Sequence, residues 1–276
     1  MKTSNNYPGF FKAFLLLVLL MIIQIVFGII AGVIMRIMDL QVPIGEPTLI
    51  AVGNLLSLSM IIVWGRKKRG EDCKIFYQLK AFKPRFFLPL ILIALGFMIV
   101  LSEYTNIAHY FFPAPEYFST FFYNLFSGGL ASFIAAGIIA PFTEEFFFRG
   151  LILRGFLARY HTKKAIVLSS LLFAAFHLNI YQLLPAFLLG VLLSWVFLKL
   201  NSLWPCIFFH ALYNSIIVIM YTLVRLGTPG LPTEEEVLNG LVQFQPLWYD
   251  ILGLVLLTSG IYYFTRMAIT TGRRAL

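Results

Sequence analysis

Eight apolar stretches, each close to the length that crosses a bilayer, constrain this chain more than any other feature. They run roughly over 14–35, 47–64, 86–106, 128–157, 164–180, 182–199, 203–224 and 247–268. A membrane-spanning helix needs about 20 consecutive apolar residues. Inside hydrocarbon every backbone N–H and C=O must be bonded within the segment, and a helix achieves that. Hydrophobic residues make up 60% of the chain and charged ones only 12%, with mean hydropathy +0.87. Soluble domains carry roughly 25% charged residues, and no polar block here is long enough to form one. The expected fold is an all-α polytopic membrane protein of about eight transmembrane helices around a polar intramembrane site. The expected organisation is a single membrane domain over 1–276, with core helices over 128–224.

The first run follows Lys2 and Lys12. It is too long for a signal-peptide core and lacks a small-residue cleavage pattern, so it reads as a retained span. The fourth run is the longest, and Pro141 offers it a bending point by removing a backbone donor. The aromatic stretch from Tyr110 to Phe126, with Pro113 and Pro115, reads as an interfacial or surface helix. No internal repeat or low-complexity tract is present.

The net charge of +9 is unevenly distributed. With both termini cytoplasmic, the inner side gathers Lys2, Lys12, Arg66, Lys67, Lys68, Arg69, Lys74, Lys80, Lys83 and Arg85. Arg154, Arg159, Lys163, Lys164, Lys199, Arg266, Arg273 and Arg274 join them. The outer loops keep Arg36 and Arg225 with most of the acids. That is the positive-inside rule. It accounts for the basic charge with lipid as the partner and no nucleic acid. Cys73 and Cys206 sit in a basic loop and a span, so neither a disulfide framework nor a thiolate metal site is indicated.

Within the fourth run lies Pro-Phe-Thr-Glu-Glu-Phe-Phe-Phe-Arg, from Pro141 to Arg149. A charge at the centre of a spanning helix costs on the order of 2.5–3.5 kcal/mol. Glu145 and Arg149, four apart, share a helix face that suits an ion pair. Glu144 points about 100° away from that pair. His177 closes Phe173-Ala-Ala-Phe-His177 in the fifth run. His210 opens His210-Ala-Leu-Tyr-Asn214 in the seventh, side by side with Asn214 on one face. His109 and His161 fall in loops or at interfaces and carry no assignment.

Unpaired imidazole, carboxylate and carboxamide groups have no water to retreat to in a bilayer. Three runs that each supply one point to a shared cavity. A carboxylate near an imidazole can deprotonate a water. A second histidine with an asparagine can donate hydrogen bonds to a developing oxyanion. Thr143 and Cys206 are the nearest alternative nucleophiles, and they read as a helix-bend hydroxyl and a small apolar filler. A zinc ion held by Glu144, His177 and His210 is the competing arrangement, although no HExxH sequence occurs.

At these residues the chain resembles the CPBP family, the type II CAAX prenyl endopeptidases and related Abi or lysostaphin-resistance membrane proteins. The resemblance lies in Glu144-Glu145-Phe-Phe-Phe-Arg149, Phe173-Ala-Ala-Phe-His177 and His210-Ala-Leu-Tyr-Asn214, in that order. It implies an eight-helix intramembrane endopeptidase acting on a membrane protein or peptide. In it Glu144 with His177 would activate water, and His210 with Asn214 would form the oxyanion site. Glu145 and Arg149 would support the architecture. It further implies a bacterial cytoplasmic membrane and a metal-free glutamate-dependent hydrolase, with zinc the alternative because family proteins are often named metalloproteases. Two other readings stay open: a non-catalytic scaffold or bacteriocin-immunity protein, and a proton-coupled transporter relaying through Glu144 and His177.

Overall fold

The computed structural model describes residues 7–43, 45–69, 78–227, 232–240 and 242–270. Lys2, Cys73, Lys74, Arg273 and Arg274, discussed above, lie outside the described residues. All regular structure among them is helical. The helices are α1 (Phe10–Ile37), α2 (Pro47–Arg69), α3 (Phe87–Phe111) and α4 (Glu116–Ser127). After these come α5 (Leu130–Leu157), α6 (Thr162–Phe176), α7 (Ile180–Leu200), α8 (Trp204–Arg225), α9 (Glu234–Leu238) and α10 (Leu247–Ile269). Seven of them, all but α4, α6 and α9, are long and apolar enough to cross a membrane. The all-helical membrane fold is as the apolar runs foretell.

One run departs from its expected form. The stretch drawn over 164–180 is a helix of only 15 residues that stops at Phe176. At 1.5 Å per residue it spans roughly 22 Å, short of the ~30 Å hydrocarbon core. His177 therefore lies at its C-cap and not within a span. Leu178 then takes a left-handed φ of 47°, and the buried Asn179 caps α7 by accepting the Tyr181 N–H at 2.9 Å. Leu178 and Ile180 are as apolar as the helix before them, so the apolar run reads on across His177 and Asn179.

The helices divide into two compact units. The first comprises Met1–Leu40, Val52–Phe82 and Ile139–Phe208; the second comprises Gln41–Ala51, Lys83–Ile138 and Phe209–Leu276. In the first unit, α1 buries Ala13, Leu16, Leu17 and Leu20 at spacings i, i+3, i+4 and i+7, a one-sided apolar stripe. Its outer half presents Ile25, Ile29, Val33 and Ile37, as suits a lipid-facing helix. Gln24 donates to Asn54 at 2.7 Å, bonding α1 to α2. Helices α6 and α7 form a hairpin whose close approach depends on Gly190, where a Cβ would stand 2.8 Å from that of Ser170.

In the second unit, α3 and α10 run against one another through Gly96. A Cβ there would collide with the backbone of Leu257 and Gly253. Small residues permit such contact between membrane helices, where van der Waals packing replaces the hydrophobic drive. The segment before α10 is tied to α3: Glu103 accepts from the Gln245 amide at 3.0 Å, and Gln245 donates to Ser102. The short helix α9 opens with a capping box, Thr233 accepting from the Glu236 amide and Glu236 from the Thr233 amide.

Candidate active site

Helix α5 is not a uniform α-helix. Two π-helical stretches, Phe133–Ile139 and Phe146–Leu153, flank a short α segment, Ala140–Glu145, that carries both carboxylates. π-bulges are rare and gather at functional sites. Pro141 has a part in the first one. In the π register the Ala136 carbonyl would next pair with the amide of residue 141, and proline has no N–H. The Ala136 carbonyl instead accepts the side-chain Nδ2 of Asn214 at 2.9 Å. The bending point expected at Pro141 thus takes the form of a register change, and one of its freed carbonyls anchors a residue of the third motif.

Glu144 is 6% exposed, Glu145 0% and Arg149 1%. The ion pair anticipated from the four-residue spacing is present: Arg149 Nη1 donates to Glu145 Oε1 at 2.7 Å. The other arm, Nη2, donates to the Gly190 carbonyl at 3.3 Å, which also accepts the Ser194 hydroxyl at 2.7 Å. The guanidinium lies 4.5 Å from the Phe173 ring centroid, within the range of a cation–π contact. One side chain of α5 therefore binds α6 through its ring and α7 through its backbone. A planar fork with separate donors does this, and a lysine ammonium could not reproduce it.

Phe173 joins the first motif to the second. Its ring meets Phe148 edge-on at 5.0 Å and His177 edge-on at 5.0 Å. Its carbonyl lies 2.9 Å from His177 Nδ1. A carbonyl only accepts, so Nδ1 donates in this contact, and Nε2 is the ring nitrogen on the other side. The same bond satisfies one of the last-turn carbonyls that every helix end leaves open. His177 is half-buried at the hairpin turn.

Glu144, Glu145, Arg149, Phe173 and His177 all belong to the first unit, and His210 and Asn214 to the second. His210 is buried and Asn214 half-buried, one turn apart on α8. Asn214 is oriented by Ala136, which fixes its amide nitrogen towards α5. Gly137 leaves room for Ser215 of α8, whose hydroxyl would lie 2.8 Å from a Cβ at that position.

The bland readings of the two nearby nucleophiles agree with their contacts. Thr143 Oγ1 donates back to Ile139 and Ala140 within its own helix. Cys206 is fully buried with its thiol on the Leu193 carbonyl at 3.3 Å. Among the described residues no three His, Cys, Asp or Glu side chains are grouped to hold a metal ion.

Gly190, Asn179 and Ala136 escaped the sequence reading. They act through backbone carbonyls or through a cap, which no side-chain pattern marks.

No curated protein and no solved structure matches the chain significantly. Residues 125–216 match the family model described as type II CAAX prenyl endopeptidase Rce1-like. This is about a third of the chain, and it contains all three motifs together with the two π stretches of α5. Residues 125–216 are thus similar to the type II CAAX prenyl endopeptidases, the family that the three motifs within them resemble.

Proposed function

We propose that this protein is an intramembrane endopeptidase that hydrolyses a peptide bond in a membrane-embedded or lipid-anchored protein or peptide. The observation that carries the reading is the burial of Glu144, 6% exposed in an apolar helix, inside the segment matched by the endopeptidase family. A carboxylate kept there against a cost of on the order of 3 kcal/mol calls for a task.

In this reading a water molecule gives up a proton to Glu144 while His177, through Nε2, orients it. The hydroxide adds to the substrate carbonyl carbon. His210 and Asn214 donate hydrogen bonds to the oxygen that gains the negative charge, each worth about 10²–10³ in rate. The C–N bond then breaks, and the proton held by Glu144 passes to the leaving amine.

The test is cleavage by the purified protein in lipid. One substrate is a quenched-fluorescent peptide ending in a farnesylated CAAX box; the other carries a transmembrane segment. Glu144→Gln and His177→Ala should each lower turnover by at least about 10²-fold while leaving folding intact. Equal activity in the Glu144→Gln protein would refute the reading. Loss of parent activity in chelator, with recovery on added zinc, would refute its metal-free form.

A further inference from the structure

Two residues of the third motif, His210 and Asn214, have been given roles, yet the residue between them on the same face has not. Tyr213 is three positions after His210 and one before Asn214. Successive helical residues turn by 100°, so all three fall within an arc of about 100° on α8. Tyr213 is half-buried, and its ring rests against Phe97 of α3, centroids 5.9 Å apart at 60°. Its hydroxyl makes no hydrogen bond among the described residues.

That hydroxyl is in an unusual place. Tyrosines of membrane proteins gather at the two interfaces, where the phenol tip reaches water. Tyr213 stands nine residues from Trp204, roughly 14 Å along the helix, and about 18 Å from Arg225 at the other end. Neither interface is within reach of a phenol. A hydroxyl withdrawn from water without a partner costs roughly 1–3 kcal/mol. Phenylalanine would fill the same space against Phe97 without that cost, so packing does not explain the oxygen.

We infer that Tyr213 is a third hydrogen-bond donor of the His210–Asn214 face, delivering its phenol O–H to a carbonyl oxygen of the bound substrate. The assignment rests on the endopeptidase reading above. The face supplies donors of three kinds, imidazole, phenol and carboxamide. Asn214 spends one N–H on the Ala136 carbonyl, which makes an added donor on this face more valuable. A protonated phenol is a good partner for an oxygen gaining negative charge.

The experiment is Tyr213→Phe, which keeps the ring and its contact with Phe97, assayed with the two quenched peptides in lipid. Phe97→Leu, which disturbs the ring contact but keeps the hydroxyl, is the packing control, and Glu144→Gln the inactive control. Tyr213→Phe should lower kcat on the order of 10²-fold, the size typical of one lost oxyanion donor. KM and thermal unfolding should stay within about twofold and a few degrees of the parent. Phe97→Leu should cost less turnover than Tyr213→Phe. Full turnover in Tyr213→Phe beside a dead Glu144→Gln would overturn the role of Tyr213 and leave the endopeptidase reading standing. No Glu144-dependent cleavage by the parent would overturn both. A loss in Tyr213→Phe matched by an equal loss in Phe97→Leu would show that packing alone is at stake, and would also overturn the assignment.

Discussion

Replacing Arg149 by methionine tests whether one guanidinium holds three helices of the first unit together. Arg149 is 1% exposed and Glu145 0%, so solvent contributes almost nothing to either charge. The substitution removes the 2.7 Å bond to Glu145, the 3.3 Å bond to the Gly190 carbonyl and the stack on Phe173. Breaking one side of a buried pair costs about 3–5 kcal/mol, mainly because the remaining charge is left uncompensated. A desolvated cation–π contact adds up to about 2 kcal/mol. Methionine keeps most of the stem volume, so little of the loss is a cavity. The double substitution Glu145→Leu/Arg149→Met removes both charges together. It should recover to within about 2 kcal/mol of the parent, since apolar replacement of a buried pair is often neutral or better. Unfolding free energies in bicelles for the parent, both single variants and the double variant close the cycle. A cost below about 1 kcal/mol for Arg149→Met, or a double variant as unstable as the sum of the singles, would refute this account. Arg149→Lys is the sharper probe of geometry. It keeps the charge but cannot reach Glu145 and Gly190 from one plane, so it should fall between the parent and Arg149→Met.

Two further outcomes follow from backbone features. Pro141→Ala supplies an amide that can bond the Ala136 carbonyl and displace Asn214. Turnover should fall about 10-fold, as expected of a misplaced donor, with the fold equally or more stable. Adding Asn214→Ala on that background should cost little more, and a full independent loss would rule out the linkage. Glu236 is held below the ordinary carboxylate range, first by the Thr233 backbone N–H and then by its hydroxyl. A depressed carboxylate contributes above its unfolded pKa and loses that contribution as pH falls through its folded value. The protection of the α9 amides, taken relative to their intrinsic exchange rate, should therefore fall as pH drops through the acid range below the ordinary glutamate value, and Thr233→Ala should abolish that dependence.

Much was legible in the sequence because a bilayer makes hydropathy a strict language. The apolar runs fixed the helical class, and seven of the eight spans drawn from them are helices long enough to cross a membrane. The four-residue spacing of Glu145 and Arg149 was enough to pair them, because a helix turns such spacings into contacts. What the tertiary structure alone decided concerns groups that the one-letter code leaves blank. The turn at His177 depends on a left-handed Leu178 and on Asn179 acting as a cap, and neither is visible as a break in the apolar run. The Gly190 and Ala136 carbonyls are backbone atoms that every residue possesses. Which of them is left unbonded depends on a π register and on whatever side chain arrives from another helix. Local pattern sets where a chain is helical, whereas the partners of Arg149 and Asn214 arise from contacts between residues 41 and 78 positions apart.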